Sequence, residues 1–299
     1  VLEANMTERR SSVLRRMLAG PEIVVLPGAY DALSARLAER AGFSAMFTTG
    51  FGFSASVLGE PDFGLLTMSE TMERVRHVVA AVSVPVVADM DTGYGNPLNT
   101  RRTVRECVAA GAAGIILEDQ EWPKKCGHFE GKKVIPAEDH AAKLRAAIDA
   151  RGEDDLVIIA RTDARAPLGL EEAIRRGRMY RDAGADVVFV EAPQSIEELR
   201  AVKAAIPDAP LFANMVEGGK TPLLTYQELQ DLGYKMVVFP LSALLAATKA
   251  ISAVYEELYR TKTTAGIADR LVDFHEFEKI VGVPELRELE ERYGVAEKT

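Results

Sequence analysis

Two aspartates stand two residues apart in Asp89-Met-Asp91-Thr-Gly-Tyr-Gly, just after the apolar run Pro85 to Ala88. Other apolar runs end in, or soon reach, Asp62, Glu118, Arg161, Glu191 and Asn214. Acids gathered at one place repel one another unless a cation joins them. Asp89 and Asp91 can share a hard cation directly or through waters. Mg²⁺ suits them because it prefers oxygen ligands and keeps part of its water shell, and Mn²⁺ could replace it. The plain alternative is that these acids cap helices or pair with arginines, and it weighs most for Asp62. Arg161 can grip a carboxylate with two parallel N–H bonds, which suits an anionic substrate.

The stretch Gly114-Ile-Ile-Leu-Glu-Asp-Gln-Glu-Trp-Pro-Lys-Lys-Cys-Gly-His128 opens as a buried strand and ends in lysines, a thiol and an imidazole. Cys126 has Lys124 and Lys125 before it and His128 after it. Neighbouring cations lower a thiol pKa and bring proton transfer within reach of neutral pH. Gly127 and Gly131 flank a loop that can close over a ligand and exclude water. Trp122 is either an aromatic wall of the site or an anchor for this loop. Cys107 lies inside a predicted helix and reads as a small buried apolar residue. His77, His140 and His275 have no partner spacing and read as structural or exposed. Gly218-Gly-Lys-Thr221 has part of a phosphate-loop pattern, but Asn214 stands where its first glycine belongs, so the pattern fails. The turn reads instead as backbone donors for a substrate carboxylate, with Asn214 beside them.

What must position these groups is a series of short strands alternating with helices. The strands read as Ile23–Leu26, Ala45–Thr48, Pro85–Ala88, Gly114–Leu117, Leu156–Ala160, Asp186–Val190, Pro210–Ala213 and Met236–Phe239. Most are unbroken runs of Val, Ile, Leu and Phe, as expected when both faces are covered. Helices are predicted near 30–40, 67–82 (capped at Ser69), 99–110, 136–150, 170–183, 195–205 and 225–232, and Ser54 to Gly64 reads as a long loop. Eight such units make a (β/α)8 barrel, with the chemistry at the strand exits. Two open Rossmann halves are the other reading, but no G-x-G-x-x-G follows the first strand. Residues 1–299 read as one domain: an N-terminal helical segment over 1–20, with its helix from Met6 to Leu18 and a disordered start at Val1 to Asn5, a barrel core over 23–242 and a helical tail over 243–299. Tail helices must bury their apolar residues somewhere, and another subunit is the natural place.

The chain has 299 residues, 47% of them hydrophobic and 27% charged, with a net charge of −9. That balance excludes the basic stripe of a nucleic-acid binder. It leaves small anionic substrates open, because they answer to local fields. Two cysteines and no signal-like or membrane-spanning run point to a cytoplasmic protein with free thiols.

Taken together, Asp89-x-Asp91-Thr-Gly-Tyr-Gly, Glu118-Asp-Gln, Lys124-Lys-Cys126-Gly-His128, Ala160-Arg-Thr-Asp-Ala and Asn214-Met-Val-Glu-Gly-Gly-Lys-Thr-Pro222 resemble the isocitrate lyase/phosphoenolpyruvate mutase superfamily over nearly the whole chain. The Lys-x-Cys-Gly-His string resembles its carbon–carbon lyase branch. The resemblance implies a barrel with a swapped C-terminal helix, a homotetramer built as a dimer of dimers, and a Mg²⁺ site. It implies that Asp89 and Asp91 hold the metal with Asp62 and Glu118 in its water shell. Thr49-Gly50-Phe51 matches a substrate-binding turn in which the family often has Ser-Gly-Gly. Lys124, Cys126, His128 and Glu118 fall on catalytic positions, and Gly127, Arg161, Glu191 and Asn214 on substrate-binding ones. Phe63-Gly-Leu-Leu-Thr67, Trp122-Pro-Lys-Lys-Cys126 and Phe189-Val-Glu-Ala-Pro193 look closest to 2-alkylmalate lyases of the petal-death type and to dimethylmalate lyases. The 2-methylisocitrate lyases share the Cys string but differ at Phe47 and at Glu217-Gly-Gly-Lys. Carboxyphosphonoenolpyruvate mutases share both strings. The implied substrate is a small di- or tricarboxylate.

Overall fold

A computed structural model describes residues 8–294; the disordered start read at Val1 to Asn5, and Met6 and Thr7 of the first helix, lie outside the described residues. Eight parallel strands close into a barrel in sequence order. Helix α1 (Arg10–Ala19) precedes them, and its Leu14, with Met17 and Leu18, packs on the barrel interior. The barrel follows as β1 (Val24–Ala29), α2 (Ala32–Arg40), β2 (Met46–Thr48), α3 (Gly50–Phe53), α4 (Met68–Ala81), β3 (Val86–Asp89), α5 (Pro97–Ala110), β4 (Gly114–Glu118), α6 (Ala137–Arg151) and β5 (Val157–Thr162). It is completed by α7 (Arg165–Leu168), α8 (Leu170–Asp182), β6 (Val187–Val190), α9 (Ile196–Ala205), β7 (Leu211–Asn214), α10 (Tyr226–Asp231) and β8 (Met236–Phe239).

The apolar strands explain this closure. One face of each strand fills the interior with Leu26, Phe47, Val87, Ile116, Ile159, Phe189, Phe212 and Val238. The other face packs on the helices, as Ile115, Leu117 and Ile158 do. Strand β1 runs further than the sequence predicts, through Pro27-Gly28-Ala29, and pairs with β8. A Cβ at Gly28 would lie 2.2 Å from the Pro240 carbonyl oxygen, so only glycine lets the first and last exits approach.

Two local expectations are corrected. The helix after β2 is capped by Thr67, not Ser69: Thr67 and Glu70 bond each other's backbone N–H groups in a capping box. The predicted loop from Ser54 is partly helical, because Thr49 caps α3 and a wide turn over Ser54–Leu58 continues it to Gly59.

Residues up to Ala243 form one compact unit and residues 244–294 a second. In the tail, α11 (Ser242–Thr261) contains no buried residue, and α12 (Phe274–Val281) and α13 (Val283–Tyr293) follow. Ile251, Tyr255, Tyr259 and Phe274 are more than half exposed. No helix among the described residues is long and apolar enough to cross a membrane.

Candidate active site

The exits of the strands deliver the predicted groups to one place. Strand register sets Glu118 of β4 beside Arg161 of β5, and Arg161 beside Phe189 of β6. Asp91 has φ +49°, a conformation that costs a non-glycine residue roughly 1 kcal/mol or more. The Glu118 N–H donates to its carbonyl at 2.8 Å, and Tyr94 Oη donates to its carboxylate at 3.1 Å.

Lys124 is buried between acids. Its Nζ lies 2.7 Å from Asp62 Oδ1 and 2.6 Å from Asp91 Oδ1. Burial opposes its charge, but Asp91, Asp62, Glu118 and Asp89 outweigh burial and hold its pKa well above the ordinary lysine value. Arg161 grips Asp163 with two bonds, of 2.8 and 3.0 Å. The same guanidinium reaches Glu191 at 3.1 Å and Glu118 at 3.3 Å. Asn214 donates to Glu191 at 3.2 Å.

The loop after β4 folds down onto these groups. The Cys126 N–H donates to the Asp62 carbonyl at 3.1 Å. Phe129 packs against Phe63 and Phe51, with ring centroids 5.6 and 6.2 Å away. His128 Nδ1 accepts the Lys220 N–H at 3.0 Å, so Nε2 carries the ring proton and faces Glu191 at 3.6 Å. Burial keeps this imidazole below its ordinary pKa and therefore neutral. The Gly218–Thr221 turn thus spends donors inside the protein, since Gly219 N–H also goes to Val216. That corrects the expectation of free donors there for a substrate carboxylate.

The expectation for the thiol is also corrected. Burial pushes Cys126 up to about 11, because Lys124 spends its charge on Asp62 and Asp91 and Lys125 turns away to the Gly131 carbonyl. A protonated thiol is an acid rather than a nucleophile.

A cavity of about 50 Å³ lies at the centre. Thr49, Phe51, Asp62, Asp89, Lys124, Cys126, Gly127, His128, Arg161, Glu191 and Asn214 all line it, as do Phe47 and Leu241. Gly50, Asp91 and Glu118 sit behind this lining. The Gly50 N–H is taken by Asp89 at 3.2 Å, and Glu118 lies under Arg161. Trp122 is not in the cavity wall; it packs near Tyr94 and is half exposed.

Among the described residues, no three His, Cys, Asp or Glu side chains converge as a ready-made metal cage. The donor set nevertheless fits Mg²⁺, which needs few protein oxygens and keeps its waters. Six carboxylates (Asp62, Asp89, Asp91, Glu118, Asp163, Glu191) face three cations (Lys124, Lys132, Arg161). Burial, then Asp91, pushes Asp89 up to about 6, and burial also raises Asp62 and Glu118. Glu118 Oε1 is a buried acceptor without a hydrogen-bond partner among the described residues. Such a cluster is short of positive charge.

Two functional-looking groups escape a reading of the sequence alone. Lys132 is buried, its Nζ 2.8 Å from Asp163 and bonded to the Gly127 carbonyl, so it ties the loop to the partner of Arg161. Asp119 accepts bonds from Thr162, the Asp163 N–H, Arg176 and Tyr180, and so fixes β5 against β4. The one sequence signal for Lys132 is its place just after Gly131, where the loop returns.

A family model described as phosphoenolpyruvate phosphomutase matches residues 14–259. The chain is 47% identical over 281 residues to 2,3-dimethylmalate lyase of Eubacterium barkeri, covering 94% of this chain and 97% of that one. It is 47% identical over 294 residues to a chloroplastic carboxyvinyl-carboxyphosphonate phosphorylmutase of Arabidopsis thaliana, covering 97% and 86%. A structure of phosphonopyruvate hydrolase in complex with oxalate and Mg²⁺ superposes with a TM-score of 0.87 at 32% identity, covering 96% and 99%. The chain therefore belongs to the isocitrate lyase/phosphoenolpyruvate mutase superfamily, on its lyase branch.

Proposed function

We propose that the protein is a Mg²⁺-dependent carbon–carbon lyase that cleaves a 2-hydroxy-2-alkyl dicarboxylate. The substrate is of the 2-alkylmalate, dimethylmalate or 2-methylisocitrate type, and the products are pyruvate or a related 2-oxo acid and a second carboxylate. The observation that carries this reading is Cys126: a thiol held protonated in one small cavity with Asp89, Arg161 and Asn214. Retro-aldol cleavage takes the proton from the 2-hydroxyl and breaks C2–C3. The electron pair left on C3, beside a carboxylate, must then receive a proton. Cys126 is the acid suited to deliver it.

Asp89 and Asp91 would hold Mg²⁺ or Mn²⁺, with Asp62 and Glu118 behind its waters; bound there, the ion supplies Lewis-acid stabilisation of charge on the 2-oxygen. The hydroxyl proton would pass to Lys124, or to Glu118 or Asp62, the groups gathered at that rim. Arg161 faces the developing carboxylate charge in a dry site, where a fixed cation acts strongly. His128, Glu191 and Asn214 orient the substrate oxygens, and Thr49, Gly50, Phe51 and Gly127 shape the walls.

Cys126→Ser tests the reading. Turnover of 2,3-dimethylmalate should fall at least about 100-fold, with folding and Mg²⁺ binding retained; unchanged cleavage of the best substrate removes the proton-donor role. The second reading is a phosphonate or carboxyphosphonate mutase, supported by the 47% identity to a phosphorylmutase. Phosphorus NMR on phosphonopyruvate separates the two, because a mutase yields a rearranged phosphorus species and no free pyruvate. The apolar residues exposed on α11 and α12 support a homotetramer of helix-swapped dimers. Light scattering should give the mass of four chains.

A further inference from the structure

A second cavity of the barrel unit is larger than the one with the chemistry. A space of about 990 Å³ opens between the start of α4, the loop after β3 and helix α6, and it shares no lining residue with the site above. Its volume is that of a small-molecule pocket. Much of the wall is apolar, from Leu66, Tyr94, Ile135 and Trp122.

Two polar groups in this wall are unexplained by the fold. Lys143 is 6% exposed and Thr92 is 3% exposed. Neither side chain has a hydrogen bond or ion pair with any described residue, and both line the cavity. Burial lowers the Lys143 pKa, and Glu118, Asp119 and Asp139 oppose that only from beyond salt-bridge distance; Asp139, one turn before it on α6, also lines the space. At the mouth, Arg102 is exposed and likewise unpaired among the described residues. No acid among the described residues touches the Lys143 ammonium directly, and a buried charge is costly unless a group meets it at close range.

We propose that this cavity is a second ligand site for a small organic anion, a carboxylate carrying a flat apolar body. Lys143 and the Thr92 hydroxyl would receive the carboxylate, Arg102 would guard the entrance, and the ring or chain would lie against Tyr94 and Trp122. The site is joined to the chemistry by its walls. Tyr94 Oη bonds Asp91, and Gln120, another lining residue, bonds the backbone of Lys125 at both its N–H and its carbonyl.

The chain has one tryptophan, and it lines this cavity, so its emission reports occupancy. The probe is anthracene-9-carboxylate, with its neutral carboxamide as control, read as energy transfer from Trp122 in the full-length protein. The carboxylate should bind saturably, one per chain, and more tightly than the amide. Lys143→Met should weaken the carboxylate about tenfold or more, the worth of a bond to a charged group, and leave the amide unchanged. Ala142→Phe, which fills the space, should remove both. If Lys143→Met does not fold, Thr92→Val carries the same comparison between acid and amide. Equal affinity for acid and amide in the native protein overturns the proposal. So does an unaltered carboxylate affinity in a folded Lys143 or Thr92 variant, or the absence of transfer because another subunit covers the mouth.

Discussion

Gly127→Ala is the smallest change that should disable the site without unfolding the barrel. A Cβ built there lies 2.5 Å from Arg161 Nη2 and 2.6 Å from Glu191 Oε2, a pair that are themselves 3.1 Å apart. Ordinary contacts lie at about 3.5 Å, so the loop and the guanidinium must part by about 1 Å. The guanidinium cannot yield cheaply, because Asp163 holds it with two bonds and Glu191 with a third. The loop must therefore rise, taking Cys126 with it. A misplacement of about 1 Å costs on the order of 100-fold in rate, which is about 2.7 kcal/mol of transition-state stabilisation. The assay is pyruvate release from 2,3-dimethylmalate, coupled to NADH oxidation by lactate dehydrogenase, with thermal unfolding run in parallel. A variant within threefold of native activity and with the same unfolding midpoint would refute the steric reasoning.

Lys132→Met should lower stability by about 3 kcal/mol, the scale for breaking a buried ion pair, and lower kcat more than KM because the loop loses its tie to Asp163; urea unfolding and steady-state kinetics check both. His140 is held near pKa 3 by burial and by Lys143 and Arg176. Its folded pKa lies below the unfolded value of about 6.5, so its contribution is complete above that pH and is lost as pH falls towards about 3. Between pH 7 and pH 5 the loss is about 2 kcal/mol, and urea unfolding of His140→Phe should show a slope smaller by that amount; identical slopes would exclude the histidine as its source. Chelation with EDTA should abolish turnover and Mg²⁺ restore it. Mg²⁺ at a hundredfold excess over its Kd should add about 2.7 kcal/mol of stability, an effect that Asp89→Asn should remove.

The barrel was legible because its strands are covered on both faces and read as unbroken apolar runs, as in Val157–Ala160 and Val187–Val190. The rim was legible because those runs end in Asp89, Glu118, Arg161 and Asn214. Thr67 was readable in principle, since Glu70 stands three residues on, whereas Ser69 has Met72 there. The burial of Lys132 was not, because a lysine between Gly131 and Lys133 has the local chemistry of a solvated turn. Its true partner, Asp163, arrives from another strand. The thiol failed for the same reason: proximity along the chain set the expected sign, and burial with rival acids set the actual one. The Gly50–Leu58 turns hid behind glycines and small residues that seldom form helix.

The folded-down loop is held from several strand exits at once: Asp62 beyond β2, Asp163 beyond β5 and Lys220 beyond β7 each bond it. Opening it for product to escape therefore requires separate tethers to let go together. The lifetime of the shut form belongs to the whole rim, and a substitution at Lys220, which takes no part in the bond-breaking step, should tune the tempo of release alone.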